Sequence, residues 1–279
     1  MKKVAWILVA ALLAAAISPW AGGCAPPSIP DEERSELILA TTTSVLDSGL
    51  LDALIESFEE EYPYRVKAVA VGSGAALLMA RQGEADVTIT HEPRAEAEFM
   101  QAGLGESRRE VMYNDFIIAG PADDPAGVRG MSDAAEAFAR ISVSGATFLS
   151  RGDASGTHAM ELSVLERAGI QPSGDWYRES GQGMGYTLRL ADQEGAYTLA
   201  DRATFIVLDQ ALDLEVMVEG DAGLKNVYSV IVTNPAVFPD TNVEGARDLA
   251  AFLFQEETRK LIRGFGLDRY GRHLFYLFE

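Results

Sequence analysis

The segment FLSRGDASGTHAMELSVLE, residues 148–166, connects a short apolar stretch to an amphipathic helical pattern. The turn between them holds an arginine, an aspartate, hydroxyl side chains and two glycines. A turn that follows a strand and opens a helix lies where open α/β sheets bind their ligands. Its side chains suit a nucleophile, a metal site or an anion site, and the surrounding sequence decides among these three.

The chain on both sides of this segment alternates between strand and helix patterns. Buried strands are predicted at residues 36–41, 66–71 and 86–90, and each is followed by a helical pattern. The first helix, with Asp47 or Ser48 as its cap, has an apolar face that includes Leu54 and Phe58. This order predicts a parallel sheet with helices on both faces.

Two long apolar stretches, residues 111–121 and 225–235, each end in proline and predict strands that cross between two α/β units. A final amphipathic helix is predicted at residues 243–263 and should pack against the first unit. We therefore predict an α/β fold with two lobes and with the two crossover strands as its hinge. Lobe 1 comprises residues 36–118 and 230–279, and lobe 2 comprises residues 119–229.

The first 23 residues have the pattern of an export signal. A basic start is followed by an apolar run at residues 4–17 and then by small residues before Cys24, the single cysteine. The run is shorter than the ~20 residues of a membrane-spanning helix and lacks a cationic stop. The sequence AGGC at 21–24 resembles the lipobox of bacterial lipoproteins, which implies lipidation of Cys24. Residues 24–35 then form a lipid-anchored tether.

The charge balance excludes one class of partner. The chain carries 42 acidic and 23 basic side chains, a net charge of −19, and removal of Lys2 and Lys3 with the signal brings it to −21 (21 bases against 42 acids). Such a surface repels polyphosphate backbones, so nucleic acid is not a partner. A small anion can still be a ligand of this acidic protein. At physiological salt the Debye length is about 8 Å, so distant surface charges are screened and a local positive site can attract the anion.

Three predicted strand-to-helix junctions share one chemistry: ATTTS at 40–44, VGSG at 71–74 and SRGDASGTH at 150–158. Each places hydroxyls or glycines where a helix begins, so free backbone N–H groups and the positive end of the helix dipole face the same space. A single junction of this kind is an ordinary cap or turn. Three together, with the planar guanidinium of Arg151, favour a tetrahedral oxyanion.

Catalytic and metal-binding interpretations fit less well. A serine hydrolase requires a G-x-S-x-G elbow and a partnered histidine, and His91, His158 and His273 have no such setting. His158 is predicted to form local hydrogen bonds. No His, Cys or carboxylate spacing typical of a metal site recurs. We therefore expect no enzyme activity, no metal cation and no cofactor.

The motifs resemble those of the substrate-binding proteins of bacterial tungstate ABC transporters, within the phosphate-like group of periplasmic binding proteins. The resemblance covers nearly all of the mature chain, in the blocks ATTTSVLDSGLLDALIESFE, GEADVTITHEP, VMYNDFIIAGPADDPAG, FLSRGDASGTH, WYRESGQGMGYTLRLAD and GAYTLADRATF. It departs at Glu92, where the family commonly has a small residue, and at Ala154, where an aspartate is frequent.

This resemblance implies a type II periplasmic-binding-protein fold, a Venus flytrap whose lobes close on tungstate, often also on molybdate. The protein would be an exported monomer that delivers the anion to a membrane permease. The implied oxyanion contacts, with Ser73 added by analogy to the wider group, are Thr42, Thr43, Ser44, Ser73, Arg151 and Thr157.

Alternatives stay open at this point. Phosphate carries protons at pH 7, so a phosphate site needs an acceptor carboxylate, and Asp153 either serves as that acceptor or orients Arg151 and caps the helix. A sulfate-binding protein, an oxyanion-sensing lipoprotein and an extracytoplasmic hydrolase are further alternatives. Donor counting does not rank tungstate and molybdate, because the two anions share charge and shape.

Overall fold

The computed structural model describes residues 34–278. The predicted signal peptide, Cys24 and nearly all of the tether lie outside these residues. The strands are β1 (Ser35–Thr42), β2 (Tyr64–Val71), β3 (Val87–Thr90), β4 (Gly105–Pro121), β5 (Phe148–Ser150), β6 (Tyr177–Glu179), β7 (Thr198–Asp201), β8 (Leu214–Val218) and β9 (Lys225–Thr233).

The helices are distributed between these strands along the whole described chain. They are α1 (Thr43–Asp47), α2 (Leu50–Glu61), α3 (Ser73–Arg81), α4 (Pro93–Gln101), α5 (Ala134–Ser144), α6 (Gly156–Arg167), α7 (Met184–Glu194), α8 (Arg202–Leu208), α9 (Val243–Phe252), α10 (Glu256–Gly264) and α11 (Leu267–Tyr270). None of the helices within residues 34–278 has the length and apolar character needed to span a membrane.

The main sheet has the strand order β2-β1-β3-β9-β4-β7, and β8 also pairs with β4. Strands β2, β1 and β3 are parallel, as the alternating pattern predicts. Strands β9, β4, β7 and β8 pair antiparallel with their neighbours. The prediction of parallel pairing concerns the three strands before the first crossover. Strands β4 and β9 pair antiparallel because they pass in opposite directions between the two α/β units.

Strands β4 and β9 are the two crossovers. Residues Gly105–Asp115 of β4 pair with β9, whereas Phe116–Pro121 pair with β7 and β8. Strand β4 begins six residues before the predicted start at Val111. Strand β4 therefore changes its pairing partner between Asp115 and Phe116. The lobe boundaries at 118/119 and 229/230 stay predictions.

Separate hydrophobic cores lie on the two sides of this change. The first half of the molecule (α1–α4, β1–β3, β9 and α9–α11) packs around residues that include Phe58 and Phe252, with a second cluster around Ala76 and Leu77. The second half (α5–α8 and β5–β8) packs around clusters that include Phe138 and Leu188. Helix α8 contributes side chains to cores of both halves.

Two predicted helices differ in the structure. The helix predicted at 243–263 is interrupted, because Gln255 has extended backbone angles (φ −65°, ψ 147°) and begins α10 as a separate helix. The helix predicted after a cap at Asp47 or Ser48 is α2, but its N-cap is Gly49, whose φ of +81° lies in the left-handed region. A separate short helix that the sequence did not predict, α1, precedes it and begins at Thr43, directly after β1.

Candidate functional site

The first junction consists of hydroxyl side chains at the carboxyl end of β1. Thr42 and Ser44 are each 2% exposed, and their hydroxyl oxygens lie 3.1 Å apart. Ser44 Oγ lies 3.2 Å from the hydroxyl of Tyr228, to which Asn226 Nδ2 donates at 3.0 Å. Thr43 is half-buried and lies across from α7 of the second half, since a Cβ built on Gly183 would be 3.8 Å from Thr43 Oγ1. This network holds the hydroxyls in fixed positions.

The second junction provides Ser73, the first residue of α3, which is fully buried. Its Oγ accepts a hydrogen bond from the backbone N–H of His91 at 3.2 Å. Since the oxygen already acts as an acceptor, the hydroxyl proton stays available for donation. Ser73 can therefore donate a hydrogen bond to a ligand and still accept the one from His91.

The third junction contains the observation that points most clearly to a ligand. Arg151 is 2% exposed, and its Nη2 is paired with the carboxylate of Asp153. Its Nε is buried and has no hydrogen-bond partner within residues 34–278. A buried donor without a partner costs about 1–3 kcal/mol, and more when it belongs to a charged group. The guanidinium therefore presents an unused donor inside the molecule.

Asp153 is already engaged by its own turn. Besides pairing with Arg151, it accepts a hydrogen bond from the backbone N–H of Ser155 at 3.2 Å. Ser155 in turn caps α6 by accepting from the N–H of His158 at 3.3 Å, while His158 Nδ1 accepts from Ala154 N at 3.1 Å. Asp153 thus orients Arg151, and His158 forms the local bonds expected of it.

Thr157 completes the set of predicted site residues. It lies in the first turn of α6 and is 1% exposed. The turn before it approaches the second junction closely, since a Cβ built on Gly72 would lie 3.2 Å from Ser155 Cα. The structure therefore brings the second and third junctions together, while Thr43 of the first junction faces α7.

Two carboxyls near Arg151 are not among the site residues predicted from the sequence. Asp47 lies beside Gly185 at the start of α7; burial raises its pKa, opposed by the N–H of Gly185 and the positive charges of Arg151 and Arg189. Asp201 is fully buried and caps α8 by accepting from Thr204 N at 2.9 Å. Burial also raises the pKa of Asp201, and its Oδ2 has no partner among the described residues.

The signals for these two residues differ. Asp201 is the last residue of β7 and caps α8 in a D-x-x-T spacing, so the sequence contained a fourth strand-to-helix junction that could have been found. Asp47 has no local signal of this kind, because its environment depends on α7, which comes from the other half of the molecule.

His91 lies at the interface of the two halves and is neutral near pH 7. Burial lowers its pKa to about 4, and the nearby positive charge of Arg151 acts in the same direction. Its ring lies 4.8 Å from the Tyr228 ring and 6.1 Å from the Phe116 ring, measured between centroids. The ring therefore fills space between the halves and adds no charge to the site.

A buried carboxyl and a tyrosine hydroxyl are hydrogen-bonded to each other next to the third junction. Glu161 of α6 is 1% exposed, and the hydroxyl of Tyr177 donates to it at 2.5 Å. The same hydroxyl lies 3.0 Å from Ser150 Oγ, at the end of β5. Burial raises the pKa of Glu161 to about 7, although these hydrogen bonds oppose the rise.

Three cavities lie away from the predicted donors. One of about 780 Å³ is lined by residues that include Tyr113, Arg202 and Lys225. One of about 680 Å³ lies between the start of α2 and helices α10 and α11, and one of about 590 Å³ lies between α4 and α6. The six predicted ligand residues line none of the three. Within residues 34–278, His, Cys, Asp and Glu side chains form no group of three or more that could hold a metal ion.

Comparison with known proteins identifies the class first. A family model described as a PBP superfamily domain matches residues 29–257, a range that includes all three junctions. The chain therefore belongs to the superfamily of periplasmic binding proteins, and the predicted fold class is confirmed.

Individual relatives show to which family within this superfamily the chain belongs. The tungstate-binding protein TupA of Peptoclostridium acidaminophilum is 43% identical over 99% of this chain and 98% of its own length. The crystal structure of the tungstate ABC transporter from Geobacter sulfurreducens is 42% identical, covers 81% of this chain and 97% of that one, and has a TM-score of 0.74. The structure of the tungstate-binding protein TupA from Desulfovibrio alaskensis G20 is 40% identical, covers 88% of this chain and 99% of that one, and has a TM-score of 0.73. The chain belongs to the family of these proteins, which are substrate-binding proteins and not enzymes.

Proposed function

We propose that this chain is an extracytoplasmic solute-binding protein that captures tungstate between its two halves and delivers it to an ABC permease. The buried Nε of Arg151, which has no partner among the described residues, is the observation that carries this proposal. The choice of tungstate as the anion rests on the names of the relatives, which are 40–43% identical to this chain.

The donor chemistry matches the anion. Tungstate at neutral pH is a fully deprotonated dianion, so its oxygens accept hydrogen bonds and donate none. The proposed ligands donate through hydroxyl, backbone N–H and guanidinium groups, and they are Thr42, Thr43, Ser44, Ser73, Arg151 and Thr157. Charge-assisted hydrogen bonds contribute about 1.5–3 kcal/mol each. Six of them total about 9–18 kcal/mol, so the upper part of this range is needed for nanomolar affinity, about −12 kcal/mol, once ordering and desolvation costs are subtracted.

Phosphate is the second candidate, and one observation favours it. The unpartnered Oδ2 of Asp201 is buried in the electrostatic field of Arg151, and a protonated oxyanion requires an acceptor of this kind. Burial raises the pKa of Asp201, however, and a protonated carboxyl donates to a tungstate oxygen instead. Asp153, the acceptor considered from the sequence, is already bonded to Arg151 and Ser155.

The proposal includes the location of the protein. Residues 1–23 form an export signal, and lipidation of Cys24 anchors the monomer to the membrane, in the periplasm or at the cell surface, beside its permease. Molybdate is a further ligand, and an oxyanion-sensing lipoprotein is the alternative role with the same site. Mass spectrometry of the membrane-bound protein tests the anchor: we expect a lipid on Cys24 and release of a Cys24→Ser variant.

Calorimetric titration of the signal-free protein with tungstate, molybdate, sulfate and phosphate tests the ligand. We expect tight tungstate binding and no heat from phosphate under the same conditions. Tight phosphate binding with tungstate inert would reject the tungstate assignment and make the acceptor role of Asp201 the next question.

A further inference from the structure

Two turns that belong to different halves of the molecule are in backbone contact. A Cβ built on Gly74, at the start of α3, would lie 2.9 Å from the carbonyl oxygen of Ala154. A Cβ on Gly72 would lie 3.2 Å from Ser155 Cα. Because the neighbouring atoms are backbone, they cannot move aside as a flexible side chain does.

A third glycine makes a similar contact in the opposite direction. A Cβ built on Gly156, the first residue of α6, would lie 2.7 Å from His91 Cε1, from His91 Nδ1 and from the carbonyl oxygen of His91. The His91 ring is buried against Tyr228 and Phe116, so it has no space into which it can turn.

Backbone conformation does not explain these glycines. Gly72 has a φ of −76°, which any residue adopts, and Gly74 and Gly156 are not among the positive-φ glycines of the described chain. Each would therefore accept a Cβ if its neighbour from the other half were farther away. The requirement for glycine comes from the approach of the two halves alone.

The same turns hold the proposed anion donors. Ser73 lies between Gly72 and Gly74, while Arg151 and Thr157 lie on either side of the Ala154–Gly156 turn. Helix α3 packs in the core of the first half, and α6 packs in the core of the second. The distance between these two turns therefore fixes how far the donors of one half lie from the donors of the other.

We infer that Gly74 and Gly156 are positioning residues, which let the two turns meet and so set the closed distance between the two sets of anion donors. This inference rests on the proposed function, since it assigns the two glycines to the closing of that site. A methyl group at either position leaves each half folded but holds the halves apart. The anion then enters the open site normally and leaves it too easily.

The test compares Gly74→Ala, Gly156→Ala and Gly72→Ala with Gly264→Ala, a control whose Cβ would meet nothing within 4 Å and whose φ is not in the left-handed region. We expect tungstate affinity to fall by about tenfold or more for the first two, because one or two hydrogen bonds to the anion are lost. The loss should be smaller for Gly72→Ala, where the contact is looser, and absent for the control.

Kinetics separate positioning from a general loss of structure. The release of bound radioactive tungstate into excess unlabelled tungstate should accelerate in step with the loss of affinity, while the association rate stays within about twofold of the unaltered protein. Small-angle X-ray scattering should show less compaction on adding tungstate. The unfolding midpoint of the ligand-free variants should match that of the control.

Unchanged affinity and release rate in both Gly74→Ala and Gly156→Ala would overturn the inference while leaving the proposed function intact. A fall in the ligand-free unfolding midpoint with an unaltered release rate would overturn it as well, because the glycines would then serve folding alone. If the unaltered protein binds none of tungstate, molybdate, sulfate and phosphate, the proposed function fails, and the inference fails with it.

Discussion

Arg151 combines two features that are rarely found in one side chain: it is nearly fully buried, and one of its donors is unused. Asp153 pairs with Nη2 of the guanidinium and leaves Nε without a hydrogen-bond partner among the described residues. A lysine could replace the charge but not the planar arrangement of donors. The geometry of this side chain, in addition to its charge, should therefore determine affinity.

We expect Arg151→Ala to weaken tungstate binding by several kcal/mol and Arg151→Lys to recover only part of the loss, since a charged hydrogen bond contributes about 1.5–3 kcal/mol. Calorimetry measures both variants. The matched control is Arg178→Lys, because Arg178 is exposed and paired with Glu194. Equal affinity of the Arg151→Lys variant and the unaltered protein would show that the planar arrangement has no role.

At the scale of elements, the junction of β5 and α6 depends on a carboxyl that is buried together with a tyrosine hydroxyl. Burial raises the pKa of Glu161 from 4.5 to about 7. Below about pH 4.5 the folded and unfolded chains both hold this proton. Between pH 4.5 and 7 the unfolded chain releases it first, so the contribution of Glu161 to stability is lost as the pH rises.

The free energy of unfolding, measured with urea in buffers free of oxyanions, should therefore fall less between pH 5 and 7.5 in Glu161→Gln than in the unaltered protein. The difference should amount to at most about 3 kcal/mol, at 1.36 kcal/mol per pKa unit. Glu166→Gln is the control, since Glu166 lies on the same helix and is exposed. Identical pH dependence in Glu161→Gln and the unaltered protein would contradict the buried titration.

The elements also show what the sequence could predict. Strands β1 to β3 and the donor-rich junctions follow from local patterns, so their positions were predicted closely. The antiparallel pairing of β9 with β3 depends on how the chain returns from the second half, and no local pattern encodes it. The interruption at Gln255 was missed because helical periodicity continues through it. Asp47 was missed because its neighbours come from α7.

At the scale of the whole molecule, ligand binding should stabilise the fold by mass action. A ligand that binds only the folded protein adds about 2.7 kcal/mol to the free energy of unfolding at a free concentration of 100 Kd. Thermal unfolding with and without tungstate measures this effect. We expect a clear rise in midpoint for the unaltered protein and almost none for Arg151→Ala; a rise of equal size in both would place the anion elsewhere.

In the closed arrangement of the two halves, one oxyanion should lie between them beside Arg151. Crystals grown with tungstate and measured at a tungsten absorption edge locate the metal directly. We expect one strong anomalous peak about 4 Å from Arg151 Nε and from donors of the first half, since a tungsten–oxygen bond and a hydrogen bond that meet at an angle span about this distance. A peak only in the 780 Å³ cavity near Lys225, or no ordered peak, would contradict it.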